Sequence, residues 1–319
     1  MDRKTYERKL RDLVDNAWDQ EVQWREVSAW IDNFTGEVIS ESEERLYLMF
    51  FLTRFVYFSK RLMREMLKSL YRDYFVAPIC QRIRRNCNDS MNISQIQFLF
   101  DQELAATKFI GIGNPSESGA HLLYYFRQVN HLSKEQFSDF HGAFTKRANR
   151  SEVDGVSILP KQSNIKRYVM FDDVVGSGTQ VTDYLSSDLR KLKKDKQLDI
   201  RFISLFATTA GLEKLNKKEM FDGKASCLFE LDSSYKAFES DSRYFSNSPD
   251  WFDIDILKRI VKEYGEKLLP KCNMALGYKD GQLLLGFSHN TPDNTPPIFW
   301  YESPKSNWSP VFLRYNKIY

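Results

Sequence analysis

The sequence predicts an α/β fold built on a parallel sheet, and two observations support this prediction. From residue 107 onward, short apolar runs of strand length alternate with helical segments, which is the pattern of strand–helix–strand units with right-handed crossovers. Two of these runs end in turns rich in Gly and Ser that lead directly into helices. Before residue 107 the chain is predicted to be helical, since it has no glycine between Gly36 and Gly111 and no proline before Pro78.

These changes of pattern divide the chain into three predicted parts. Residues 1–106 form a helical N-terminal domain, residues 107–272 form the α/β core, and residues 273–319 form a C-terminal strand and a loop-rich hood. Within the first part, an apolar pattern that runs nearly unbroken over residues 43–74 predicts one long helix or two abutting helices. Pro78 is expected to end or kink this helical run.

The composition is that of a globular protein with enough apolar residues for a sizeable core. The 319 residues are 42% hydrophobic and 28% charged, and the net charge of +3 is too small to argue for nucleic-acid binding by itself. Four cysteines without a C-x-x-C pair suit a reducing compartment. The first residues show no signal-peptide pattern, and the most apolar run, residues 46–58, is too short to span a bilayer and contains Arg54. We therefore expect a cytoplasmic protein without a membrane segment.

The motif that carries most chemistry follows the apolar run at residues 165–171. Asp172 and Asp173, the acidic pair, end this predicted strand. A turn of small polar residues then precedes a predicted helix, and this Gly-Ser turn consists of Gly176, Ser177, Gly178, Thr179 and Gln180. Its two glycines allow backbone N–H groups to converge on an anion, and its hydroxyls add donors. It is not a Walker loop, which has Lys after the last Gly, but it predicts a phosphate site.

The acidic pair adds a second requirement for the ligand. Ligands of open α/β sheets bind at the carboxyl ends of strands, where Asp172 and Asp173 are expected to lie. Carboxylates in that position accept hydrogen bonds from vicinal sugar hydroxyls, or order a Mg²⁺ ion and its waters. A ribose that carries a 5′-phosphate satisfies both halves of the motif. The simpler alternative is a strand that ends in a polar loop, with both acids solvated.

The motif resembles the binding signature of type I phosphoribosyltransferases, in which an apolar strand, an acidic pair and two variable residues precede a Thr/Ser/Gly turn. Residues 171–180 look still more like the version in phosphoribosyltransferase-like proteins of bacterial antiphage systems, including effectors encoded beside retron reverse transcriptases. The resemblance implies a phosphoribosyl pyrophosphate or nucleotide ligand, with Mg²⁺ as cofactor. It implies that Asp172 and Asp173 are catalytic residues that hold the ribose hydroxyls or the metal shell, and that the Gly-Ser turn holds the 5′-phosphate.

An upstream strand–loop–helix, at residues 108–127, has the position of the family's pyrophosphate loop. The candidate residues in it are Gly113, Asn114, Ser116, Ser118 and Gly119. This loop lacks the basic residue that many family members carry there. An ordinary turn between a strand and a helix is the alternative interpretation.

The resemblance assigns two further segments. A polar stretch between residues 130 and 159 corresponds to a mobile loop that brings basic residues to the leaving pyrophosphate, and a basic surface loop is the alternative. After a predicted strand at residues 282–287, the hood matches an Asn-rich, Pro-containing segment that ends in Trp. The hood covers the sugar-phosphate site, faces a partner, or is a structural loop whose side chains hydrogen-bond to its own backbone. The candidates are Lys146, Arg147 and Arg150 in the first segment and Asn290, Asp293, Asn294 and Trp300 in the second.

Two functions follow from the resemblance. The first is an antiphage, retron-type effector that binds a phosphoribosyl pyrophosphate-like ligand with Mg²⁺ and cleaves or transfers at the ribose C1′ of nucleotides. The second is a non-catalytic module that senses a nucleotide or nucleic acid and assembles with a reverse transcriptase–DNA complex. A companion defence protein and a second copy of the chain are the other partners that the resemblance implies.

Overall fold

A computed structural model describes residues 3–113, 118–149, 155–195, 197–302 and 307–314. The chain forms two compact units, one from Met1–Met63 together with Asp232–Tyr319 and the other from Arg64–Leu231. The predicted boundaries after residues 106 and 272 were placed where the sequence pattern changes. The two units are instead defined by which residues pack together, so their boundaries differ from the predicted ones.

Strands and helices are numbered along the whole chain. The strands are β1 (Val56–Phe58), β2 (Thr107–Gly111), β3 (Phe137–Ser138), β4 (Phe144–Ala148), β5 (Val156–Pro160), β6 (Arg167–Val175), β7 (Asp199–Thr208), β8 (Ala225–Leu231) and β9 (Leu285–Phe287). The α-helices are α1 (Arg3–Asp12), α2 (Trp24–Asp32), α3 (Glu41–Leu52), α4 (Lys60–Tyr71), α5 (Ala77–Asn86), α6 (Ile93–Ala105), α7 (Ser118–Val129), α8 (Phe140–Ala143), α9 (Thr179–Leu192), α10 (Thr209–Leu215) and α11 (Ile254–Leu268).

The unit Arg64–Leu231 contains a five-stranded sheet in the order β3–β2–β6–β7–β8, and every neighbouring pair in it is parallel. Parallel neighbours require crossover connections, and helices supply them: α7 follows β2, α9 follows β6, and α10 follows β7. This confirms the predicted α/β fold with a parallel sheet. The helices predicted for the N-terminal part are present as well.

Strand β6 lies at the centre of this sheet and is covered on both faces. Tyr168 and Met170 belong to an apolar cluster that includes Leu185 and Leu189 of α9. Phe171 points the other way, and its ring lies 5.3 Å from that of Phe126 in α7. A strand buried on both faces reads as a continuous apolar run, which explains why the sequence identified β6 so clearly.

An ionic network joins the amino ends of β6 and β7 to α6. The buried Arg167 guanidinium donates to Glu103 Oε2 at 2.7 Å and to Asp199 Oδ2 at 2.9 Å. Asp199 also accepts hydrogen bonds from Arg201 at 2.9 Å and from Lys224 at 3.1 Å. Burial by itself would raise the pKa of the Asp199 carboxyl, but Arg201, Arg167 and Lys224 together outweigh burial and lower the pKa to about 2.

The other unit has an aromatic core built from both ends of the chain. Trp30 of α2 stacks on Phe299 with ring centroids 5.4 Å apart, and Phe34 packs edge-on against Tyr264 of α11. Glu44 is completely buried in this unit, where it accepts hydrogen bonds from backbone N–H groups and from the Tyr264 hydroxyl. Helix α11 is amphipathic and buries Leu257, Ile260 and Val261 in the same core.

The prediction of a nearly continuous helix over residues 43–74 is wrong. Helix α3 ends at Leu52, and β1 pairs in parallel with β9, so that Tyr57 lies opposite Gly286. A Cβ on Gly286 would lie 3.2 Å from the Phe55 ring, so a larger residue there would require that ring to shift by a few tenths of an ångström. A pairing between segments more than two hundred residues apart overrides the local helical periodicity.

In the part of the chain that the structure describes, no helix combines the length and apolar character that crossing a membrane requires.

Candidate functional site

The acidic pair lies near the carboxyl end of β6, where the predicted ligand site was placed. The Asp172 carboxylate accepts the backbone N–H of Asp173, and the Asp173 carboxylate accepts that of Val174, both at 2.9 Å. Asp173 is buried and Asp172 half-buried. Each of these backbone N–H groups orients the carboxylate that accepts it. The pair is therefore held in place by its own strand.

The Gly-Ser turn links β6 to α9. Gly178 precedes α9 with φ +66°, a left-handed conformation that glycine adopts without steric cost. The Ser177 and Thr179 hydroxyls lie 3.0 Å apart, and the Thr182 hydroxyl donates to the Gly178 carbonyl at 2.7 Å. Helix α9 has 14 residues, so its amino end favours an anion at this turn. Two hydroxyls and the start of a helix thus meet at one place.

Helix α10 packs directly against the Gly-Ser turn. The Thr208 hydroxyl donates to the Gly176 carbonyl at 2.6 Å and accepts the Gly211 N–H at 3.0 Å. A Cβ on Gly211 would lie 2.2 Å from the same Gly176 carbonyl oxygen, so only glycine allows this approach. One hydroxyl and one glycine therefore hold the start of α10 against the turn.

Lys214 of α10 reaches the same turn. Its Nζ lies 3.3 Å from Thr179 Oγ1, and its half-buried side chain passes close to Gly178, where an added Cβ would be 3.4 Å from Lys214 Cδ. Lys214 lies three residues after Gly211, so both occupy one face of the helix. The sequence analysis assigned no role to Thr208, Gly211 or Lys214. The available signal was that Thr208 ends the apolar run of β7 and Gly211 follows three residues later, much as small residues follow the apolar run of β6.

The predicted pyrophosphate loop begins beside the acidic pair. Gly111 of β2 lies opposite Phe171, and the Ile112 N–H donates to the Phe171 carbonyl at 3.0 Å. The next residue, Gly113, has φ +94°, which requires glycine. The structure thus brings Gly113 to the sheet edge that carries the acidic pair. Asn114 and Ser116 lie outside the described residues, and of Ser118 and Gly119 only the helical backbone is described, so the rest of this loop stays a prediction.

The basic residues predicted for a mobile loop lie on a two-stranded ribbon. β4 and β5 pair antiparallel, with Lys146 opposite Ile158 and Arg147 opposite Ser157. Lys146 forms a 3.9 Å ion pair with Asp188, which lies eight residues after Gln180 in α9 and so about 12 Å along the helix from the end of the Gly-Ser turn. Arg147 is exposed, and Arg150 lies outside the described residues. The structure thus leaves their predicted role at the pyrophosphate as a prediction.

The four hood candidates belong to the unit that contains the chain ends. Asn294 donates to the Tyr278 carbonyl at 3.1 Å, and Trp300 Nε1 donates to the Thr295 carbonyl at 2.7 Å. Asp293 forms an ion pair with Arg314, and the Asn290 N–H donates to the Phe287 carbonyl. These contacts favour a structural role for Asn294 and Trp300, whose side chains are buried.

The two carboxylates at the carboxyl end of β6 can hold Mg²⁺ only if water and a bound ligand supply the remaining oxygen atoms. Across the described ranges, no group of three or more His, Cys, Asp or Glu side chains is arranged to hold a metal ion. Mg²⁺ commonly takes one or two carboxylates and completes its shell with waters and phosphate oxygens. Asp172 and Asp173 fit that requirement.

A parallel sheet with an acidic pair and a phosphate-type turn at the end of its central strand is the arrangement of a phosphoribosyltransferase-like α/β protein. The chain belongs to the PRTase-CE family, whose model matches residues 27–314. This match confirms the resemblance to phosphoribosyltransferase-like proteins that the motif predicted.

Two enzymes are among the proteins whose solved structures are similar to this chain. The xanthine-guanine-hypoxanthine phosphoribosyltransferase of Helicobacter pylori is 12% identical with a TM-score of 0.27, and the alignment covers 56% of this chain and 86% of that chain. The orotate phosphoribosyltransferase of Aeropyrum pernix is 13% identical with a TM-score of 0.24, and the alignment covers 43% of this chain and 72% of that chain. No curated protein matches the chain.

Proposed function

We propose that the protein binds a phosphoribosyl pyrophosphate-like ligand with Mg²⁺ and cleaves or transfers at C1′ of the ribose. The observation that carries this proposal is the acidic pair and the Gly-Ser turn side by side at the carboxyl end of β6. Membership in the PRTase-CE family supports it. A ribose 5-phosphate moiety is the smallest ligand that uses both features.

Each part of the site has a separate task in this proposal. The Gly-Ser turn binds the 5′-phosphate through its N–H groups and the hydroxyls of Ser177 and Thr179. Asp172 and Asp173 accept the ribose hydroxyls or the waters of a bound Mg²⁺, which supplies charge stabilisation for pyrophosphate. Bond breaking at C1′ gives an oxocarbenium-like transition state, so the protein contributes mainly by positioning the sugar and stabilising the leaving group.

The ligand proposal is tested by calorimetry with phosphoribosyl pyrophosphate and Mg²⁺. We expect Asp172→Asn and Asp173→Asn each to weaken binding at least about tenfold, because each removes a charged acceptor while its amide oxygen can still accept the backbone N–H. The control is Asp183→Asn, which changes an exposed aspartate of α9 and is expected to leave binding unchanged. Absence of binding by the wild-type protein would sink the ligand proposal.

A non-catalytic function is the second candidate, and a specific observation favours it. Residues 113–119 contain no Lys or Arg, although this is the loop that the family resemblance assigns to the leaving pyrophosphate. In this alternative the protein senses a nucleotide or nucleic acid and assembles with a reverse transcriptase–DNA complex. Pyrophosphate release measured across a panel of bases and nucleosides separates the two candidates. Ligand binding without release favours the sensing function.

The biological setting that we propose is a bacterial antiphage system of the retron type. The resemblance of residues 171–180 to the effectors of such systems supports this setting. A pull-down from cells that carry the native neighbouring genes tests it, with the Asp172→Asn variant in parallel. Recovery of neither a reverse transcriptase, nor a companion protein, nor a second copy of the chain would argue against it.

A further inference from the structure

The Gly-Ser turn contains no cation of its own. Gln180 occupies the place where a Walker loop carries Lys, and the acidic pair next to the turn adds two negative charges to its surroundings. A phosphate bound there would be repelled by these carboxylates unless a positive charge lay close to it. Hydroxyl and N–H donors alone carry only partial charges. A cation on a neighbouring element would therefore strengthen phosphate binding at the turn.

Lys214 is a positively charged residue that lies next to the Gly-Ser turn. Its Nζ is 3.3 Å from the Thr179 hydroxyl, and the contact of Gly211 with Gly176 fixes the helix that carries it. Among the residues that the structure describes, Lys214 forms no ion pair, and its contact with Thr179 is to a neutral hydroxyl. An ammonium group that is half-buried on a turn of small donors, with no carboxylate partner among the described residues, is placed to pair with an anion that binds to the turn.

We propose that Lys214 is the cation of this site and makes the turn selective for a terminal phosphate monoester in its dianionic form. A monoester presents three terminal oxygens, which can be shared among the turn, its hydroxyls and the Lys214 ammonium. A phosphodiester has only two such oxygens and a single charge, so it gains less from Lys214. This inference rests on the proposed function, because it names the group that recognises the 5′-phosphate.

The test is calorimetry of ribose 5-phosphate, and of its methyl phosphodiester, on the full-length protein. We expect Lys214→Met to weaken ribose 5-phosphate binding at least about tenfold, the size expected for one charge-assisted hydrogen bond. Lys214→Arg is expected to restore most of the affinity. The matched control is Lys217→Met, which removes an exposed lysine three residues further along the chain and is expected to change nothing.

A pH series adds a readout that a purely structural role would not move. The second ionisation of a phosphate monoester has a pKa of about 6, so wild-type affinity is expected to rise between pH 5 and pH 7.5. In Lys214→Met we expect a smaller rise in affinity with pH and a smaller ratio of monoester affinity to diester affinity. A flat wild-type pH profile, or equal affinity of wild type and Lys214→Met, overturns the role of Lys214 alone. Failure of wild type to bind ribose 5-phosphate overturns the proposed phosphate site together with it.

Discussion

At the scale of single residues, Ser204 stands out because it is polar, completely buried and next to the site. It lies opposite Asp172 in the register between β6 and β7, and its relative exposure is 0%. Its hydroxyl makes no hydrogen bond to any part of the chain that the structure describes. Burying a hydroxyl without a partner costs about 1–3 kcal/mol, so Ser204 lowers the stability of the sheet.

We expect Ser204→Ala to raise the free energy of unfolding by about 1 kcal/mol, because the variant no longer buries an unpaired hydroxyl. Urea unfolding of the full chain measures this. Ser59→Ala is the matched control, since Ser59 is equally buried but its hydroxyl is bonded to Asp19 and to the Leu62 N–H. The control is expected to lose about 1–2 kcal/mol. A loss of stability in Ser204→Ala would show that its hydroxyl is bonded in the folded protein.

At the scale of elements, α10 positions the Gly-Ser turn. The helix is short, so its own hydrogen bonds contribute little, and its place depends on the contacts of Thr208 and Gly211 with Gly176. These contacts join the carboxyl ends of β6 and β7. The conformation of the turn is therefore supported by the neighbouring strand–helix unit as well as by α9.

Gly211→Ala is expected to destabilise the protein by about 1–3 kcal/mol, since the new Cβ would overlap the Gly176 carbonyl and force the backbone to shift. Urea unfolding of the variant provides the measurement. Ala210→Gly changes the neighbouring, exposed residue by the same single methyl group and is expected to cost at most about 1 kcal/mol. Equal costs for the two variants would contradict the close packing of α10 on the turn.

At the scale of the whole α/β unit, the two ends of the sheet have different tasks. The amino ends of β6 and β7 are joined by Arg167, Glu103 and Asp199, whereas the carboxyl ends carry the acidic pair and the Gly-Ser turn. Arg167 is buried, with 6% of its side chain exposed, so it depends on both carboxylates for compensation. The network stabilises the unit at the end remote from the ligand site.

Asp199 makes stability depend on pH in a defined direction. Its pKa is lowered to about 2 in the folded protein, below the value of about 3.9 expected for an unfolded chain, so its ionised form favours folding. This contribution, about 2 kcal/mol, is complete above pH 4 and is lost as the pH falls from 4 to 2. Thermal unfolding across this range is expected to show the loss in wild type and a smaller loss in Asp199→Asn. An unchanged pH profile in Asp199→Asn would contradict this assignment, and Asp183→Asn serves as the control.

The sequence predicted the parts of the site that are local. The apolar strand, the acidic pair and the Gly-Ser turn are contiguous, so periodicity and turn chemistry sufficed to find them. Lys214 is 34 residues beyond Gln180, and it contacts the turn only because β7 lies next to β6. A local sequence pattern does not predict which strands are neighbours. The strand Val56–Phe58 was missed for the same reason, since its partner is near the other end of the chain.

The unit built from both chain ends has a consequence for synthesis on the ribosome. Arg64–Leu231 is one continuous segment, so it can complete its sheet while later residues are still being added. Trp30, by contrast, donates its indole N–H to the Ile298 carbonyl, 268 residues further along. At typical translation rates, that partner emerges on the order of tens of seconds later. The aromatic N-terminal segment thus spends this interval without the partners that bury its aromatic side chains in the folded protein.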